Sequence, residues 1–441
     1  MVRLSALVAL LALFATGVRS AEFQLAPCAF EPPKNTTVQC GWLDVAECRS
    51  RPRGKRLRLH VARYRSTAPA PRVDPIVWLV GGPGGAGHTL STALFDQVVR
   101  PYLAKRDFIV LDPRGVGYSR PELQCAEADL GCYQRLKASG FSIECYNSVE
   151  FASDLEDLRR ALGVQQWNLI GESYGTHLAL VAMRLFPAGI RSVVLDSVVP
   201  PGFDNRHEDH RWLQNAMRRL IANCERDTAC RKAFPGLARA YDEAARAVSN
   251  RSLRVTGSDH GVPYDIALTN RSLPILLFLL FYDSQGPASV PAALQSLARG
   301  EVHRAWHKAA FLQAAIAKHL ANQTVNVLWS CNDSGTLPGF RKKCEETGLR
   351  QAIRWPVAPS SIPTLILAGE YDPATPPEAA RHASVSLTKS QLFVLPGYGH
   401  MVTAAGNCPI ELIQAFLDNP RQKLTATCAD RLRTNWVLSR Q

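Results

Sequence analysis

The 441-residue chain has no long hydrophobic run beyond its first twenty residues. Crossing a bilayer takes about 20 consecutive apolar residues, and the longest later stretch, Leu273–Phe281, falls well short. Acidic residues are fewer than basic ones, 38 against 51, which leaves a formal net charge of +13. Yet no Lys/Arg block is longer than Arg49–Arg58, so the polybasic tract that would suit nucleic acid or an anionic membrane is missing. No internal repeat and no low-complexity tract breaks the chain. Apolar residues at 46% and charged residues at 20% exclude disorder, collagen and coiled coil. Cysteines with the C-x₂-C spacing and histidine partners of a zinc site are also lacking, so no metal is expected.

What is present starts with export. Arg3 precedes an uncharged apolar run from Leu4 to Ala15, and Val18 and Ser20 follow as small residues. This layout predicts a signal peptide over residues 1–20, cleaved between Ser20 and Ala21, and a periplasmic or secreted protein with no stable membrane anchor. All 12 cysteines lie beyond that segment. An even count in an oxidising compartment predicts up to six disulfides. Local spacing pairs Cys224 with Cys230, Cys331 with Cys344, Cys408 with Cys428 and Cys125 with Cys132. Cys28, Cys40, Cys48 and Cys145 are left open.

Leu57–Arg65 alternates apolar and polar residues and reads as an edge strand. Pro75–Val80, Phe108–Asp112, Trp167–Ile170, Val193–Asp196, Thr364–Leu367 and Gln391–Leu395 are short apolar runs. Such runs suit parallel strands buried on both faces. Ser148–Leu162 and Tyr174–Phe186 have helical periodicity between them. The alternation predicts an α/β fold with a mostly parallel, doubly wound sheet. It stops from residue 200 to residue 356, where helical patterns appear at Arg211–Cys224, Leu237–Val248 and Val302–Ala321. Residues 21–199 and 357–441 are therefore expected to form the core, and 200–356 a mostly helical cap inserted between two core strands.

Gly171-Glu172-Ser173-Tyr174-Gly175 lies between a strand and a helix, the context in which G-x-S-x-G forms a nucleophile elbow. Glycines there permit a turn too tight for a Cβ. The triad partners should follow in the order acid, then histidine. Asp372, just past Thr364–Leu367, and His400, just past Gln391–Leu395, sit at C-terminal strand ends, where open α/β sheets carry their sites. His400 would take the serine proton, and Asp372 would hold its tautomer.

The glycine-rich loop Val80–Gly87 has two readings. Gly82–Gly87 matches G-x-G-x-x-G, and Asp112 ends the next strand, as in a dinucleotide-binding protein. Pro83 lacks the amide such a phosphate cradle uses. The other reading is an oxyanion hole, with the backbone N–H of Gly82 joining that of Tyr174.

Together, Gly81–Gly84, Asp112–Ser119, Gly171–Gly175, Gly369–Pro376, Gly397–His400 and the cysteines Cys408 and Cys428 resemble the prolyl and tripeptidyl aminopeptidases of the α/β-hydrolase fold. The resemblance runs from about Cys40 onward and is weakest in the cap. Val80 stands where prolyl aminopeptidases carry a histidine, which favours the tripeptidyl-aminopeptidase-like branch. It implies an exported serine exopeptidase acting on free peptide N-termini, with no cofactor. Ser173, Asp372 and His400 would be its triad, and Gly82 and Tyr174 its oxyanion donors. Asp112–Ser119 is expected to be a supporting turn.

The triad alone does not choose between acyl substrates, so an esterase or amidase acting on small molecules remains the alternative. An exopeptidase must bind a free ammonium, and Glu172, Glu208, Asp209 and Asp283 are its candidate carboxylates. The expected partner is a peptide substrate, with no nucleic acid, and the expected state is a monomer. Sequons stand at Asn35, Asn250, Asn270, Asn322 and Asn332.

Overall fold

Strands of four to six residues that are apolar on both faces can only be satisfied inside a sheet covered on two sides. The computed structural model, which describes residues 21–125, 129–203, 210–316, 322–334, 341–349, 357–425 and 427–438, places them there. The strands are β1 (Glu22–Ala26), β2 (Val38–Ala46), β3 (Arg56–Tyr64), β4 (Ile76–Leu79), β5 (Phe108–Leu111), β6 (Trp167–Glu172), β7 (Ile190–Asp196), β8 (Arg254–Asp259), β9 (Val262–Ala267), β10 (Thr364–Gly369) and β11 (Ser390–Leu395). Nine of them form one sheet, in the order β1-β2-β3-β5-β4-β6-β7-β10-β11. From β5 to β11 neighbours run parallel, and β1, β2 and β3 add antiparallel strands at one side.

Every residue of β4, β5, β6 and β10 is buried. The helices Ser148–Ala161 and Tyr174–Leu185 cover one face through Phe151, Leu155, Leu178 and Val181. On the other face, Leu412, Ile413 and Phe416 of the helix Asn407–Asp418 pack with Val99 and Tyr102. Fully burying one such side chain contributes about 1.5–3 kcal/mol, so the two apolar layers fix the sheet.

One expectation about strands needs correction. Leu57–Arg65 is not an edge: β3 lies between β2 and β5, because β1 and β2 extend the sheet outward. Between β7 and β10 the helices are joined by a separate antiparallel pair, β8 and β9, for which the sequence carried no signal. Its strands are mostly exposed and polar, and the turn at His260 and Gly261 has positive φ at both residues. A period-2 apolar signal is therefore weak there.

The chain leaves the sheet after β7 and returns to the adjacent strand β10, with Val193 paired to Thr364. Helices Arg211–Arg226, Leu237–Asn250, Ser272–Tyr282, Val290–Ala298 and Arg304–Ala315 share an apolar core of their own, which includes Leu220, Leu276, Leu294 and Trp306. The next helix, Gln323–Trp329, packs instead on the sheet's layer, with Trp329 against Phe151 and Tyr174.

Six disulfides join Cys28–Cys40, Cys48–Cys145, Cys125–Cys132, Cys224–Cys230, Cys331–Cys344 and Cys408–Cys428. Those bonds point to an extracellular or periplasmic protein. Among the described residues no helix is long and apolar enough to cross a membrane. The signal-peptide segment 1–20 lies outside the described residues.

Candidate active site

Ser173 sits in the sharp turn between β6 and the helix Tyr174–Leu185, with φ 53° and ψ −122°. A non-glycine residue held at such a backbone costs about 1–3 kcal/mol, a strain concentrated at functional sites. The flanking glycines make the turn possible. A Cβ on Gly175 would lie 1.9 Å from the Leu79 carbonyl oxygen, and one on Gly171 would lie 2.6 Å from that of Gly175. The Ser173 amide donates to the Asp196 carbonyl at 2.9 Å, tying the elbow to β7.

The loop after β4 closes on the elbow: a Cβ on Gly81 would stand 2.9 Å from Ser173 Cβ. Asn326 Nδ2 donates to the Pro83 carbonyl at 2.8 Å, and the Asn322 amide to that of Gly84 at 2.9 Å. Tyr174 opens its helix, so its N–H is one of the first-turn amides with no intrahelical acceptor. The phosphate-loop reading fails here. Both Asp112 carboxylate oxygens are occupied, by the amides of His88 at 2.9 Å and Tyr118 at 3.0 Å and by His88 Nδ1 at 2.6 Å. Asp112, 1% exposed, thus anchors two loops and presents no accessible oxygen to a ribose. Arg114, fully buried, pairs with Asp154, and with Asp112 it makes 112–119 the supporting turn expected.

His400 and Asp372 come together from the ends of β11 and β10. Nδ1 of His400 lies 2.7 Å from Asp372 Oδ2. The other oxygen, Oδ1, accepts the amides of Ala374 and Thr375 at 2.8 and 2.9 Å. Burial alone would raise the Asp372 carboxyl, but the His400 charge and these hydrogen bonds hold it below the usual range. Burial likewise pushes His400 down, and the opposing charge of Asp372, with that of Asp196 behind it, raises it overall. His400 Nε2 is buried and has no hydrogen-bond partner among the described residues. That orphaned nitrogen is the group a general base would turn towards its proton donor.

Several neighbours had no sequence signal of their own. Thr375 Oγ1 donates to Asp372 Oδ2 at 2.6 Å and lies 3.1 Å from His400 Nδ1. Its spacing three residues after the acid is the only hint the letters carry. Tyr282 stacks on the imidazole, and its carbonyl accepts the His400 amide at 3.1 Å. Gly399 must be glycine, because a Cβ would lie 2.1 Å from the Phe281 carbonyl oxygen.

The candidate ammonium binders fare differently. Glu172 is only 1% exposed and turns beneath the site, its Oε1 bonded to Thr403 Oγ1. Asp283 lies beside the His400 loop, since a Cβ on Gly399 would be 2.4 Å from its carbonyl oxygen. Its carboxylate already accepts Lys308 Nζ at 2.8 Å. Glu208 and Asp209 lie outside the described residues. The sequon residue Asn332 is buried, its amide bonded to the carbonyls of Ile143 and Tyr146. The near approach of Cys48, Cys145 and Glu144 is no metal site, because both cysteines are in a disulfide.

Comparison with known proteins gives two family matches: alpha/beta hydrolase fold over residues 74–233, and TAP-like protein over residues 340–428. A tripeptidyl aminopeptidase of Streptomyces coelicolor is 32% identical over 238 residues, 46% of this chain and 40% of that protein. The chain thus matches about two fifths of the length of that relative. The serine protease Hip1 of Mycobacterium tuberculosis is 23% identical over 448 residues, covering 86% of this chain and 84% of its own. A crystallised serine hydrolase of Cycloclasticus zankles, 12% identical, superposes with a TM-score of 0.43 over 88% of this chain and 100% of that one.

Proposed function

From the chain's place among the α/β hydrolases, in their tripeptidyl-aminopeptidase-like branch, we propose that it is an exported serine exopeptidase releasing residues or short peptides from free peptide N-termini. The observation that carries the reading is the His400–Asp372 pair with its buried, unpartnered Nε2, at the strand ends beside the strained Ser173 turn.

In this reading Ser173 Oγ attacks the scissile carbonyl while His400 Nε2 takes its proton. The charge on the carbonyl oxygen falls to the N–H groups of Gly82 and Tyr174. His400 then gives the proton to the leaving amine, and a water, deprotonated by the same nitrogen, releases the acyl group and restores Ser173. Asp372, kept ionised, stabilises the imidazolium formed in both halves. No cofactor enters.

The insertion of residues 200–356 acts as a cap over these strand ends, so that chain ends are cut and chain interiors spared. Among the described residues, Asp283, whose backbone carbonyl packs against Gly399 next to His400, is the candidate carboxylate. A substrate ammonium would share it with Lys308, which is half exposed and can swing away.

Matched peptide amides, with the N-terminus free or acetylated, test the reading. Acetylation removes a charge-assisted hydrogen bond and strands an acid, a loss of about 2–4 kcal/mol. It should lower kcat/KM by about 30- to 1,000-fold. Equal turnover of the two, with efficient cleavage of short-chain esters, would favour the esterase reading instead.

A further inference from the structure

Two acids beneath Ser173 and His400 take no part in the chemistry above. Glu172 immediately precedes Ser173, Asp196 ends β7, and both are buried. Between them stands one hydroxyl. Thr403 Oγ1 lies 2.5 Å from Glu172 Oε1 and 2.6 Å from Asp196 Oδ2. A threonine hydroxyl carries a single hydrogen. It can donate to one of these oxygens, and the other must then donate to it. The pair of acids therefore holds one carboxylic proton.

The remaining donors say which acid holds it. Asp196 Oδ1 accepts the Val402 amide at 3.1 Å and the Ser197 hydroxyl at 3.0 Å, and Oδ2 accepts the Thr403 amide at 2.8 Å. Glu172 Oε2 has no partner in hydrogen-bond geometry among the described residues, and the one further donor near the carboxyl is the buried Trp78 indole N–H. A carboxylate ringed by donors favours the ionised form, and one without them does not. Burial first, and the Asp196 charge second, push Glu172 up to about 8. Burial raises Asp196 as well, with the Thr403 and Val402 hydrogen bonds pulling against it.

The same contacts hold the loop that carries His400. Met401 N–H donates to Ser197 Oγ at 2.8 Å, so three successive amides after His400 are fastened to the end of β7. We propose that protonated Glu172 donates to Thr403 Oγ1, which donates to the Asp196 carboxylate, forming a pH-sensitive latch that positions His400 for Ser173. Glu172 is then a positioning residue, touching no reacting atom. The latch rests on the roles given above to Ser173 and His400.

Its dependence on pH follows from its surroundings. The titratable groups facing Glu172 are Asp196 from β7, His400 from the loop after β11 and Tyr102 from the short turn Arg100–Tyr102. Tyr102 stays neutral, because burial and the neighbouring acids push its hydroxyl upward. When Glu172 loses its proton, two anions face one hydroxyl hydrogen. One hydrogen bond of the latch breaks, and the 400–403 loop loosens. The active form thus exists below the Glu172 transition and is lost above it.

The test is the rate at which a fluorophosphonate labels Ser173 from pH 5 to 10, with thermal melting followed over the same range. The wild-type rate should fall on the alkaline side near pH 8. Glu172→Gln, which mimics the protonated acid, should stay within about threefold of wild type at pH 6 and lose the alkaline fall. Thr403→Val should be slowed at least about tenfold at every pH, with Thr403→Ser recovering most of the rate. In melting, wild type should lose stability relative to Glu172→Gln as pH rises from 5 to 8. That comparison reads the proton without reference to catalysis. An unchanged alkaline fall in Glu172→Gln, a Glu172→Gln rate as low as that of Thr403→Val at pH 6, or a melting difference flat with pH would each overturn the latch. If the melting difference appears but wild-type Ser173 is never labelled, the peptidase reading fails, and the latch's part in catalysis with it.

Discussion

Tyr282 lies nearly flat against His400, with ring centroids 4.4 Å apart and 25° between the planes. The ring ends a helix of the inserted segment, so that segment walls one face of the proposed base off from water. Burial is the largest influence on His400, and it lowers its affinity for a proton. Tyr282→Ala should therefore raise the histidine transition further above its ordinary value and move the acid limb of the rate–pH profile upward. Tyr282→Phe, which keeps the ring, should leave that limb in place. A downward move in the alanine variant would contradict this.

Thr375 bridges the acid and the base, so its loss should be felt in turnover rather than in substrate binding. Thr375→Val is expected to lower kcat about tenfold at nearly constant KM, and Thr375→Ser should restore most of it. Asp372→Asn should cost more, about 10⁴ in kcat, because the amide favours the wrong tautomer. Steady-state kinetics of the three variants would check the order.

On the acid side of its profile, wild-type activity should rise with pH. The folded His400 holds its proton more tightly than a free histidine, so the neutral base appears only above the usual histidine range. The stabilisation from its pairing with Asp372 is complete below the unfolded histidine value and lost as pH rises through the folded one. His400→Ala should abolish both the activity and this part of the stability profile, as melting from pH 5 to 9 would reveal.

The disulfides should differ in weight. Cys48–Cys145 closes a loop with a sequence separation of 97, whereas Cys125–Cys132 closes one of 7. Loop entropy gives about 4.7 kcal/mol for the first and about 2.4 for the second. Denaturant unfolding of the double-alanine variants should put Cys48–Cys145 well ahead of the shorter loop.

The parallel strands were legible because β4, β5, β6 and β10 are covered on both faces, which leaves unbroken apolar runs. β1, β2, β8 and β9 were not, because exposed residues such as Gln24, Asp265 and Gln39 interrupt the pattern. Within the site, Ser173, Asp372 and His400 carry local signatures: a glycine-flanked turn and two strand ends. Thr403, Asp196 and Tyr282 carry none. Their relation to His400 exists only once β7 lies beside β10 and the inserted helix folds back over it. Four disulfides followed from short spacing. Cys28–Cys40 and Cys48–Cys145 stayed open because either assignment depended on where β2 would lie.

The claim on which the rest depends is that Ser173 is the nucleophile, and mass spectrometry of the protein after reaction with a fluorophosphonate tests it most directly. A single phosphonyl adduct should map to the peptide bearing Ser173 and be absent in Ser173→Ala, whose kcat should be lower by about 10⁴–10⁶. An adduct on another residue, or a Ser173→Ala variant that keeps a tenth of the activity, would contradict it.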